Sequence, residues 1–257
     1  MANPVFNNTK QFQRKDDGQP VGFDVAPPGE TGLYDEPGRM SYDGVLLKSA
    51  AYFLLALAAA VVTGMFFPQY VGIISLAAFA MSLVVFFRAR VEPKPGLYAI
   101  TLVLYGATAG GISRFYEGVW SGIIVQALIA TGVVFVSSLL VYKSGRVRNM
   151  AKIRKFLFIA IPAYVIFSIV NVLMVMFGGP DIREMDIPGT SIPLGLILSL
   201  FAIALGAFML ISDFDFVDNG VRNRIESKWE WAAAYGLVFS IIWIYIEMLR
   251  LLSYLRR

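Results

Sequence analysis

The sequence predicts an all-α, polytopic integral membrane protein with seven spans. Three observations carry that expectation: seven long apolar runs, a charged fraction of only 16% beside 57% hydrophobic residues, and Lys and Arg gathered in alternate loops. Soluble domains carry charge on about a quarter of their residues, so this balance points to lipid as the solvent. A helix rising about 1.5 Å per residue needs about 20 apolar residues to cross the hydrocarbon core.

Taken in order, residues 1–42 are polar and punctuated by Pro20, Pro27, Pro28 and Pro37. Such a segment buries too little apolar surface to offset its ordering entropy, and it reads as a flexible cytoplasmic tail. No apolar stretch follows a basic start, so the first span is expected to act as the insertion signal. Residues 43–257 form the transmembrane domain. Its first run covers 45–67 and its second, after Pro68 and Gln69, covers 70–87. The third, 97–112, is short and built from small residues (Gly106, Ala107, Ala109, Gly110, Gly111), which allow close helix approach. The fourth is 122–142, the fifth 156–177 with Pro162 inside it, the sixth 192–212 and the seventh 231–252.

With the tail inside, the inner loops carry Arg88, Arg90, Lys94, Lys143, Arg146, Arg148, Lys152, Arg154, Lys155, Arg222, Arg224 and Lys228. The outer loops carry only Arg114 and Arg183. That asymmetry sets a cytoplasmic N-terminus and suits a bacterial plasma membrane. It leaves Arg256 and Arg257 outside, against the bias. The net charge of +4 is accounted for by this topology and calls for no nucleic-acid partner. His and Cys are absent, which removes thiol nucleophiles, Cys-based metal sites and the commonest general base. No enzyme and no bound cofactor is expected.

Ionisable groups at membrane depth are costly and mark a pathway or a paired site. Asp213 directly follows the sixth apolar run, and Asp215 and Asp218 follow it. These carboxylates read either as a cation or proton site, since hard cations prefer oxygen ligands, or as interfacial acids in water. Arg88 ends the second span and is the natural counter-charge for Asp213 if spans two and six are neighbours. Glu247 and Arg250, three apart in the seventh span, read as a neutralised structural pair on one helix face. Asp181, Glu184 and Asp186 lie in the third outer loop, where they are either a divalent-cation lure or a solvated surface.

Two stretches carry a resemblance over essentially the whole chain: Ser212-Asp213-Phe214-Asp215-Phe216, and the closing span from Glu230-Trp231 through Glu247 and Arg250 to Leu252. With the opening Asn3-Pro4-Val5-Phe6, they resemble the Bax inhibitor/YccA family, also called the transmembrane Bax inhibitor motif family, in its bacterial branch. The resemblance implies a bundle with the seventh helix central and a pH-sensitive Ca²⁺ leak or cation transport, Ca²⁺ or protons being the cargo. It also implies an alternative, a non-conducting regulator that binds other membrane proteins such as a membrane AAA protease. By motif, the ion-binding Asp of span six falls on Asp213 and the latching Arg on Arg88. The partner Asp of span seven should stand ten residues before Arg250, where this chain has Ser240. Two carboxylates sharing a site titrate as a coupled pair, a lever that a single one lacks. Asp215 is the substitute at hand, although on an ideal helix it faces away from Asp213.

Overall fold

The computed structural model describes residues 38–88, 92–145 and 150–256. The flexible-tail reading for residues 1–37 lies outside them, as do Arg90, Arg146, Arg148 and Arg257. Among the described residues seven helices are long and apolar enough to cross a membrane, and the chain is a multi-pass protein of the lipid bilayer. They are α1 (Tyr42–Phe66), α2 (Val71–Arg88), α3 (Pro95–Val119), α4 (Ile123–Lys143), α5 (Met150–Met176), α6 (Leu194–Arg222) and α7 (Glu230–Leu255).

The residues just before α1 are already bonded to the bundle. Met40 donates its N–H to the Ile225 carbonyl (2.8 Å), and Ser227 donates to that of Gly38 (3.0 Å). Ser41 then caps α1, its hydroxyl accepting from the Gly44 N–H at 3.0 Å. Residues 38–41 thus belong to the bundle and not to the tail. Glu230, buried at the start of α7, accepts from the Ser41 N–H (2.8 Å) and pairs with Lys48. This one carboxylate ties the entry of the first helix to the entry of the last.

The third span is a full crossing, and it is longer than its apolar run. α3 has 25 residues and continues through Ser113, Arg114, Tyr116 and Glu117, which the sequence pattern assigned to a loop. In lipid the backbone does best by keeping its own hydrogen bonds, so the helix does not stop where polarity rises. Glu117 then accepts from the Gly122 N–H (2.6 Å) and the Ile124 N–H (3.1 Å), capping α4 from outside. The small residues of α3 face α1. Gly106 and Gly110 lie so close to the carbonyls of Ala56 and Ala60 that no Cβ fits between them.

α7 is central: it packs against α1, α3, α4 and α6 and bonds to α5 through Tyr164. Trp231, Tyr235, Phe239 and Trp243 recur every fourth residue and form an aromatic stripe along it. Tyr235 stacks on Tyr98 at 4.7 Å and Phe239 meets Tyr105 edge-on at 5.0 Å. Large apolar side chains such as Leu46, Ile73 and Ile159 point outward, where lipid tails receive them at no cost.

Candidate functional site

Asp213 lies inside α6, well before the helix ends at Arg222. Its partly buried carboxylate faces α7, where Ser240 donates its hydroxyl to Oδ2 at 2.7 Å. Ser240 itself is fully buried. One turn earlier, Gly236 leaves room for the acid: a Cβ there would stand 2.8 Å from Oδ1. A glycine and a hydroxyl at i and i+4 on α7 therefore form a cradle shaped to this carboxylate. An ionised carboxylate accepts about four hydrogen bonds. Ser240 supplies one, and no Lys or Arg pairs with Asp213 among the described residues.

The acids that follow go elsewhere. Asp215 pairs with Arg154 of α5 at 2.5 Å. Asp218 accepts from the Tyr42 hydroxyl (2.6 Å), the Tyr142 hydroxyl (2.9 Å) and Arg222 Nε (3.0 Å). The three carboxylates are thus spoken for by different helices, as about 100° of rotation per residue requires. Among the described residues no group of three or more acids stands together as a metal cage, and the loop acids at 181–186 are included in that statement. Arg88 is exposed at the end of α2, which packs against α3, and no ion pair joins it to Asp213. The expected Arg88–Asp213 contact is absent from this structure because α2 and the α6–α7 seam are not neighbours.

With this geometry in view, the family model described as "Bax inhibitor 1 like" matches residues 3–257 of the chain. The chain belongs to the Bax inhibitor family. No curated protein matches it. In this family member the residue facing the α6 aspartate from α7 is a hydroxyl, that of Ser240.

A second polar cluster lies toward the other end of α7, beyond Trp243. Glu247 Oε1 accepts from Arg250 Nη1 at 2.5 Å, the pair that the i, i+3 spacing predicts. It also accepts from the Tyr164 hydroxyl of α5 at 2.8 Å. The sequence reading missed the third member. Arg183, from a 3₁₀ turn (Ile182–Glu184) in the loop between α5 and α6, is buried, with Nη2 donating to Ser168 Oγ (2.8 Å) and to the Tyr164 hydroxyl (3.3 Å). Trp243 separates the two clusters. Its indole N–H donates to the Ala202 carbonyl at 3.0 Å, and its ring packs against Tyr164 at 5.5 Å.

Proposed function

We propose that this Bax inhibitor family protein passes Ca²⁺, as a leak channel or cation transporter, across a bacterial plasma membrane with its N-terminus in the cytoplasm. The observation that carries the reading is Asp213, a partly buried carboxylate inside the helical bundle, cradled by Gly236 and bonded to Ser240, with no Lys or Arg paired to it among the described residues. Ionisable residues in such positions mark ion or proton pathways, and carboxylate and hydroxyl oxygens suit a hard cation. Protons compete for the same oxygens, which makes the passage sensitive to pH.

In this reading the structure is the closed form. Trp243 and the fully buried Ile244 stand between Ser240 and Glu247 along α7 and pack against Gly206 of α6.

The test is Ca²⁺ entry into sealed liposomes holding the purified protein, read against protein-free liposomes. Entry above the lipid background is the expected result. Entry no faster than background would replace conduction with the regulatory reading, in which the protein binds other membrane proteins.

A further inference from the structure

We propose that the groove between α1 and α4 binds one anionic phospholipid, its acyl chain lying in the groove and its phosphate on Arg114. The inference is independent of the cation-passing reading above. Among the described residues α1 and α4 do not pack on each other, and α3 and α7 floor the gap between them. The groove has a volume of about 740 Å³, within the about 300–1,000 Å³ of sites that hold small molecules. Exposed Leu57 and Val61 of α1 and Leu128 of α4 line it, so it opens sideways to the bilayer. Gly132 lines the α4 wall, and a Cβ there would meet nothing within 4 Å.

Length and polarity match a lipid. The α1 lining runs from Phe53, midway along the helix, to Met65 near its end. At about 1.5 Å per residue that is about 18 Å, close to one leaflet of an about 30 Å hydrocarbon core. The α3 lining likewise starts half-way along its helix, at Gly106. A membrane-spanning helix of a partner would need a groove through both leaflets. The mid-membrane part is apolar apart from Thr131, whose hydroxyl turns back to the Ala127 carbonyl at 2.7 Å. Ser113, Arg114 and Glu117 stand at the end where α1 and α3 finish.

Charge selects the headgroup. A lipid tail gains little by leaving the bilayer for an apolar groove, so selection falls to the polar end. Ser113 and Tyr245 bond each other there at 2.7 Å. Glu117 commits both carboxylate oxygens to the Gly122 and Ile124 N–H groups, and the Arg256 charge acts on it. Arg114 is the other charged residue lining the groove; it is exposed, and among the described residues no hydrogen bond or ion pair engages it. Arg114 and Arg256 against Glu117 leave the mouth with a positive excess. A guanidinium with open donors takes a phosphate by paired, charge-assisted hydrogen bonds. An anionic headgroup matches that excess, whereas a zwitterionic one brings its own cation.

The experiment is native mass spectrometry of the purified full chain, released from detergent containing equal amounts of phosphatidylglycerol and phosphatidylcholine. The parent is compared with Arg114→Gln, Gly132→Trp and Lys143→Gln, the last an exposed base at the other end of α4. The parent should retain one phosphatidylglycerol severalfold more than phosphatidylcholine. Arg114→Gln should bring the two lipids to equal retention, Gly132→Trp should lose the bound lipid by filling the groove, and Lys143→Gln should match the parent. Equal retention of both lipids by the parent would overturn the proposal, as would an unchanged preference in Arg114→Gln or an equal loss in Lys143→Gln. If Gly132→Trp does not fold, Arg114→Gln decides. A dimer that persists in excess lipid and is lost in Gly132→Trp would give the groove to a second copy of the chain and overturn the lipid.

Discussion

Ser240 and Asp213 meet across the α6–α7 seam, the serine hydroxyl donating to the carboxylate at 2.7 Å. Serine stands where the resemblance implies a second carboxylate, so Asp213 faces a hydroxyl and not a second acid. A hydroxyl can share a cation with Asp213 but cannot share a titrating proton as a second acid would.

Ser240→Asp therefore recreates a coupled pair, two carboxylates so close that both cannot stay ionised. Ca²⁺ uptake by this variant should vary more steeply with pH than the parent's, because a coupled pair releases its protons in two separate steps. Superimposable pH profiles for parent and variant would show that the second acid adds no gating.

Asp215 separates the two meanings that the acidic run carried in the sequence. It is committed to Arg154, itself half exposed, and exposed ion pairs are worth about 0–1 kcal/mol. Asp215→Asn should change thermal stability by less than about 1 kcal/mol and leave Ca²⁺ uptake at the parent rate. A loss of uptake would move the ion site from the seam toward α5.

Glu230 ties the first helix to the last at the same end of the bundle. Glu230→Ala leaves Lys48 and the Ser41 N–H without their acceptor, at a cost of about 3 kcal/mol, the lower end for a broken buried pair because Lys48 reaches partly to water. Glu230→Gln keeps the bond to Ser41 and should unfold at a temperature between those of the parent and Glu230→Ala. Equal melting of the parent and both variants would contradict the assignment.

The α1–α3 contact is backbone against backbone, so it cannot yield to a side chain. Gly110→Leu should cost about 3 kcal/mol or more, the upper range for overpacking. Gly132→Leu on α4, where nothing lies within 4 Å, is the matched control and should be tolerated. Thermal unfolding in detergent reads both.

Much of the fold is legible in the sequence because lipid imposes a simple rule: apolar runs of the right length become helices. The end of α3 escapes that rule, since Arg114 and Glu117 lower the local hydropathy while the backbone goes on satisfying itself. At the site, Glu247 and Arg250 are readable from spacing within one helix. Ser240 is found only by the family spacing. Arg183 carries no local signal, because its partners Tyr164 and Ser168 lie on another helix and only packing brings the loop to them. Arg88 is misread for the converse reason: positive-inside logic gives its end of the helix but not that helix's neighbours.

The central claim, that Asp213 is the cation site, is tested most directly by Ca²⁺ uptake into liposomes for the parent and for Asp213→Asn at matched protein content. The amide keeps the size of the side chain and a hydrogen bond to Ser240 while removing the charge. Uptake falling to the protein-free background in Asp213→Asn is the predicted result; uptake equal to the parent's would contradict it.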